Sequence, residues 1–193
     1  MLIILSGSSG IGKNTIINEI LKRYDNFQLL PTLTTREMRR NESQGNPYYF
    51  VTVEEFMRKK ENGELLESEK VHGNYYGASK LVLQETETDK ILIKDIDVKG
   101  ALNLKDKLND VITIFLKPSC FEQLIERLKG RGEDRIEERL TRYNLELELS
   151  KNFDHAIVNE EIDDTIEKII HIIKKAREEK GLDDICFLRK KNT

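Results

Sequence analysis

Gly7-Ser8-Ser9-Gly10-Ile11-Gly12-Lys13-Asn14-Thr15 decides the fold. It follows the apolar run Leu2 to Ser6, which reads as a short buried strand, and leads into Asn14 to Tyr24, where Ile16, Ile17, Ile20 and Leu21 recur at helical spacing. A glycine-rich turn in that position lets successive backbone N–H groups curl inward and adds the positive end of the following helix. The stretch matches G-x-x-x-x-G-K, the cradle for a nucleotide polyphosphate, with Lys13 reaching the transferred phosphate. Asn14 stands where Ser or Thr is usual, so an amide oxygen replaces the hydroxyl that touches Mg²⁺. Weakened metal positioning is expected there, with Thr15 adjacent.

Outward from the loop the texture changes. Between Pro31 and Ala78 lie short β-like pieces (Tyr48 to Val53, Leu65 to Glu67), one helix at Glu54 to Asn62, and glycines at 45, 63, 73 and 77. This reads as an inserted subdomain. Core-type pattern resumes with strands at Ile91 to Ile96, although Lys94 interrupts it, and at Val111 to Leu116, ended by Pro118. Helical patterns dominate Phe121 to Ser150, and Ala156 to Val158 reads as a last core strand. Asp163 or Asp164 is the expected cap of a closing helix whose buried stripe is Ile166, Ile169, Ile170 and Ile173. Strands alternating with helices imply an α/β fold of three layers with a parallel central sheet. The expected organisation is a single domain, 1–193: core 1–30, 79–120 and 151–193, mixed-β insertion 31–78, and helical lid region 121–150.

The order of residues after the first helix resembles the guanylate kinases. Thr34-Thr35-Arg36-Glu37-Met38-Arg39 is similar to the family's T-T-R-x-x-R; Tyr48 and Phe50 follow at family spacing; Glu67 precedes Gly73-Asn74-Tyr75-Tyr76-Gly77; and Asp95-Ile96-Asp97 with Gly100 resembles D-I-D-x-x-G. The resemblance covers nearly the whole chain. It implies Mg²⁺-dependent phosphoryl transfer from ATP, held by residues 7–15, to GMP. Arg36 and Arg39 would grip the acceptor phosphate through planar forks, with donors added by Tyr48 and Tyr76. Glu67 would accept hydrogen bonds from N1–H and the 2-amino group of guanine. Adenine lacks that amino donor, and a site built on buried hydrogen bonds can discriminate by about 10⁴-fold or more. Thr32 matches a hydroxyl that helps read the base, whereas Ala78 stands where the family usually has Ser or Thr, so one guanine contact is expected to be missing. Asp97 is assigned to supporting the arginines of the GMP site, and Asp95 to orienting metal-bound water, at the C-terminal end of a parallel strand. Strand-end capping is the structural alternative for both aspartates.

Arg127-Leu128-Lys129-Gly130-Arg131-Gly132 resembles the family's arginine-bearing lid, with Arg139 as a third member. The spacing from Arg131 to Arg139 is a few residues shorter than the family's, so a truncated lid tip is expected. Lid closure brings positive charge to the donor phosphates and excludes water. Arg135 and Arg142 read as solvent-facing, and His72, His155 and His171 form no cluster. The acceptor is already an ionised phosphate, so no further base is required. A non-catalytic binding module on the same fold, taking GMP or a phosphopeptide, is the alternative; retained Lys13 argues against it.

Bulk composition narrows the remaining classes. With 193 residues, 38% of them apolar, the chain supports a packed core. Cys120 and Cys186 are far apart without metal-ligand spacing, which points to reduced thiols and an intracellular, cytoplasmic protein. No basic leader precedes Leu2 to Leu5, and no segment is apolar enough to span a membrane. A net charge of −3 implies no nucleic-acid partner. Nothing chooses between a monomer and a homodimer.

Overall fold

The apolar run at the start of the chain becomes strand β1 (Leu2–Gly7), buried along its whole length. Both of its faces are covered, so Ile3, Ile4 and Leu5 follow one another at 0% exposure instead of alternating with polar residues. The computed structural model describes residues 1–8, 10–30, 32–40, 42–45, 48–71, 73–80, 90–120, 122, 125 and 136–182. After β1 come α1 (Lys13–Arg23), β2 (Phe27–Leu29), β3 (Thr32–Thr34), β4 (Tyr48–Phe50), α2 (Val53–Glu61), β5 (Leu65–Val71) and β6 (Asn74–Ser79). Then follow β7 (Ile91–Asp95), α3 (Val98–Lys107), β8 (Val111–Lys117), α4 (Ile136–Leu149), β9 (His155–Val158) and α5 (Ile162–Glu179). The chain divides into two compact units, Met1–Phe27 with Ile93–Thr193, and Gln28–Leu92.

The central sheet is parallel, in the order β2-β7-β1-β8-β9. Leu2 pairs with Val111 and Gly7 with Leu116, while Ile114 to Lys117 pair with His155 to Val158. Asp154 staples the start of β9 to β8: its Oδ2 accepts from the Thr113 N–H (2.9 Å) and hydroxyl (2.7 Å), and its Oδ1 faces Lys105 Nζ at 2.6 Å. Helix α5 buries the expected stripe, with Ile166 at 1%, Ile169 and Ile173 at 0% and Ile170 at 8% exposure. Its cap corrects the sequence expectation. Glu161 is the N-cap, without a side-chain hydrogen bond, and Asp163 and Asp164 sit in the first turn. There they meet the positive helix end, and Asp163 also accepts from Arg23 Nη1 of α1 at 2.6 Å.

In the second unit a four-stranded mixed sheet runs β4-β3-β6-β5, with β3 parallel to β4 and antiparallel to β6. The strand expected from Tyr48 to Val53 stops at Phe50, because Thr52 accepts from the Glu55 N–H (3.1 Å) and starts α2. Helix α2 drives Phe56 (0% exposed) against Gly77 of β6. A Cβ at Gly77 would stand 3.0 Å from the Phe56 ring and 2.9 Å from the Glu67 carbonyl oxygen, which is why a strand residue here is glycine. β5 extends to Val71, well past the expected Glu67. Of the predicted lid region 121–150, residues 121, 123–124 and 126–135, with Arg127 and Arg131, lie outside the described residues, and the remainder includes α4. Among those described, no helix is long and apolar enough to cross a membrane.

Candidate functional site

In the first unit the loop between β1 and α1 is built to hold an anion. Gly12 caps α1 in the left-handed conformation (φ 102°, ψ 13°) without a side-chain cap, and no acidic residue lies in the first turn. The helix therefore presents its positive end to the loop. Lys13 Nζ donates to the carbonyls of Gly7 (2.5 Å) and Ser8 (3.1 Å), so the ammonium lies folded over the loop that it closes. Gly10 and Ile11 complete the described loop. Ser9 lies outside the described residues.

Two buried contacts fix the loop from behind, and sequence reading found neither. Ser8 (4% exposed) donates its hydroxyl to Glu146 Oε2 of α4 (8% exposed) at 3.1 Å. Asn159, just after β9, donates Nδ2 to the Ile11 carbonyl at 2.6 Å and accepts from the Thr165 hydroxyl of α5 at 2.9 Å. Asn14 and Thr15 are exposed on the first turn of α1, and Asp95 is exposed at the C-terminal end of β7. Asp97 caps α3, its Oδ1 accepting from the Gly100 N–H at 2.7 Å. The capping alternative thus accounts for one contact of Asp97. Arg139 lies on α4.

The second unit brings most of the acceptor residues onto one face of its sheet. Thr32 pairs with Tyr48 on one side and Ala78 on the other, and Ala78 pairs with Glu67. Directly opposed residues point the same way, so Tyr48, Thr32, Ala78 and Glu67 form one row across the strands. Two residues along lies the parallel row Phe50, Thr34, Tyr76 and Glu69. The ring contacts agree: Tyr48 lies 5.8 Å from Tyr76 and 6.1 Å from Phe50, centroid to centroid. Ala78 and Thr34 are fully buried, Thr32 nearly so, and Glu67 half-buried.

Arg36 lies over this face, its guanidinium 5.5 Å from the Tyr48 ring and 5.6 Å from Phe50. The two threonines before it set its direction. The Thr34 hydroxyl accepts from the Arg36 N–H at 3.2 Å, and that of Thr35 accepts from the Tyr75 N–H at 2.9 Å. Glu42 receives Arg36 Nη2 on both carboxylate oxygens, at 2.8 and 3.0 Å, and the Arg39 N–H on Oε2 at 2.8 Å. Arg36 Nη1 donates to the Glu37 carbonyl at 2.6 Å. The Glu42 hydrogen bond, and then Tyr76, hold the Arg36 pKa above its ordinary value against the effect of burial. Arg36, then the Arg39 amide, hold the Glu42 carboxyl below its own. The Arg39 side chain is exposed. Glu42 is a third residue that sequence reading missed; its only sequence signal is an acid within a basic loop.

Comparison with known proteins gives this arrangement its relatives. A family model described as "Guanylate kinase" matches residues 1–176. The chain is 37% identical over 180 residues to a guanylate kinase of Thermotoga maritima, covering 91% of this chain and 87% of that protein. It is 38% identical over 193 residues to one from Clostridium tetani, covering 97% and 92% respectively. Among solved structures, guanylate kinase from Anaplasma phagocytophilum matches with a TM-score of 0.69 at 30% identity, covering 91% of this chain and 85% of that one.

Proposed function

This chain belongs to the guanylate kinase family, and from that premise we propose how its residues divide the transfer of a phosphoryl group from ATP to GMP. It is a nucleoside-monophosphate kinase. The observation that carries the residue assignment is the pair of rows on one sheet face, where Arg36 overlies Tyr48 and stands with Tyr76, while Thr32 and Glu67 occupy the same face. Arg36, Arg39, Tyr48 and Tyr76 bind the GMP phosphate. Glu67 and Thr32 read the guanine, and Asp97 is assigned to the GMP arginines.

Residues Gly7, Ser8, Ser9, Gly10, Ile11, Gly12, Lys13, Asn14 and Thr15 hold the ATP phosphates, the backbone amides facing the oxygens and Lys13 the transferred group. Arg127, Arg131 and Arg139 neutralise charge on that group from the lid. The transition state of such a transfer is loose, so these residues act by placing the two phosphates in line and screening their repulsion. No side chain needs to remove a proton from an acceptor that is already ionised.

The donors available for Mg²⁺ are the Asn14 amide and the Asp95 carboxylate, both exposed oxygen ligands of the kind a hard cation takes. Asp95 would act through water. When bound, the ion draws charge from the phosphate oxygens and fixes their geometry. The enzyme works in the cytoplasm.

A coupled assay with ATP, Mg²⁺ and GMP, AMP, CMP or UMP tests this. GMP-dependent ADP formation is expected. Turnover on another monophosphate in preference to GMP would refute the acceptor assignment, and GMP binding without turnover would support a binding module.

A further inference from the structure

We propose that Glu42 is a positioning residue of the acceptor-phosphate site, its carboxylate latching both Arg36 and the Arg39 backbone into the geometry that receives a nucleoside monophosphate. The proposal rests on the reading of Arg36 and Arg39 as the phosphate grip. One carboxylate joins the two: Oε1 and Oε2 take Arg36 Nη2, and Oε2 also takes the Arg39 N–H. The Glu42 N–H donates in turn to the Arg39 carbonyl at 3.0 Å, so the two residues are bonded in both directions. The ion pair is largely shielded, with both side chains 14% exposed.

A carboxylate beside a phosphate-binding arginine has two possible effects of opposite sign. It competes for the guanidinium, or it aims it. Geometry favours aiming. A guanidinium carries five N–H donors on three nitrogens, and Glu42 engages Nη2 alone. The Glu37 carbonyl uses Nη1, and Nε donates to neither. Tyr76 is a further hydrogen-bond partner, and among the described residues these contacts still leave a donor for a phosphate while the Tyr48 and Phe50 rings and Glu42 hold the plane of the group. With two arginines against one carboxylate, the cluster keeps a net positive charge. Without Glu42, both arginines would have to be ordered by the ligand itself. Fixing a long side chain costs about 0.5–1.5 kcal/mol on binding.

The test is Glu42→Gln, measured beside Arg36→Lys. Glutamine keeps an oxygen for the Arg39 amide but turns an NH₂ toward Arg36, so the latch on the guanidinium opens. Glu42→Gln should raise KM for GMP about tenfold, the equivalent of ordering one or two such side chains. KM for ATP and kcat at saturating GMP should stay unchanged. Guanosine, which lacks the phosphate, should inhibit wild type and variant with equal Ki. Glu42→Asp, keeping the charge on a shorter arm, should recover part of the GMP affinity. Tighter GMP binding by Glu42→Gln would show that the carboxylate competes, and equal weakening of GMP and guanosine would assign it to loop structure alone; either overturns the proposal. An unchanged KM for GMP in Arg36→Lys would instead overturn the phosphate-grip reading beneath it.

Discussion

Replacing Asn159 by alanine should loosen the phosphate loop from behind and destabilise the fold by a measurable amount. Asn159 is 4% exposed, and its amide joins the Ile11 carbonyl to the Thr165 hydroxyl through bonds of 2.6 and 2.9 Å. Ile11 and Thr165 are both 0% exposed, so bulk water does not compete for either bond. Each buried polar group left unpaired costs about 1–3 kcal/mol, giving roughly 4 kcal/mol for the pair. For a chain of this size that corresponds to a fall in melting temperature of about 8–16 °C. Because Ile11 lies inside the loop, KM for ATP should rise in parallel, measured well below the new transition. Thr165→Val should cost less, since it orphans only the Asn159 oxygen. Once Asn159 is alanine, the valine no longer strands anything, so the double variant should lose less than the sum of the single variants. Asn159→Asp offers a sharper control: it still accepts from Thr165 but points a carboxylate at the Ile11 carbonyl. Differential scanning calorimetry and steady-state kinetics on the four variants beside wild type decide the matter. If Asn159→Ala unfolds within about 0.5 kcal/mol of wild type with the same KM for ATP, the buttress has no energetic content and the reasoning fails.

Three further outcomes are expected. Ala78→Ser puts a hydroxyl between Thr32 and Glu67, and one neutral hydrogen bond of about 0.5–1.5 kcal/mol should lower KM for GMP roughly 2- to 12-fold; titration calorimetry showing no tighter GMP binding would refute it. Arg131→Ala should reduce kcat far more than GMP affinity, because charge on the transferred group matters most in the transition state; a loss confined to KM for GMP would remove the residue from the donor side. Burial opposes ionisation of Asp154, but Lys105 and the two Thr113 donors outweigh it and hold the pKa below the ordinary carboxylate value. A depressed folded pKa contributes stability above the unfolded value of about 4 that is lost as pH falls through the folded one. Asp154→Asn should therefore melt lower than wild type at pH 7, with the gap closing toward pH 3; a constant gap would argue against the linkage.

The parts of the fold legible in the sequence are those whose burial repeats locally. β1 and β8 are covered on both faces and so read as nearly continuous apolar runs, with Thr113 the break in β8, and α5 shows its stripe at helical spacing. β2, β3 and β4 are three residues each, too short for a periodic signal; β3 and β4 owe their extended form to partners elsewhere in the chain. β6 was hidden for another reason. Its Gly77 reads as a turn residue, yet it serves the strand by making room for Phe56, a contact that no window around Gly77 contains.

The same division runs through the site, and it has a chemical cause. Residues that face a ligand must match it in type: glycines and a lysine at phosphates, arginine forks at a monophosphate, a carboxylate opposite guanine donors. Such matches leave motifs. Residues that hold them in place need only reach and a donor or acceptor, so Glu146 meets Ser8 across 138 positions and Asn159 meets Ile11 across 148 without leaving any local pattern. Glu42 is the instructive intermediate, only six positions from Arg36, yet invisible because an acid in a basic loop reads as ordinary charge balance. A substitution therefore carries different weight according to the layer in which it falls. In the proposed assignment Ala78 and Asn14 belong to the ligand side, where a lost contact subtracts directly from binding. Ser8 faces inward, where its hydroxyl gives a buried glutamate a partner and ties the loop to α4.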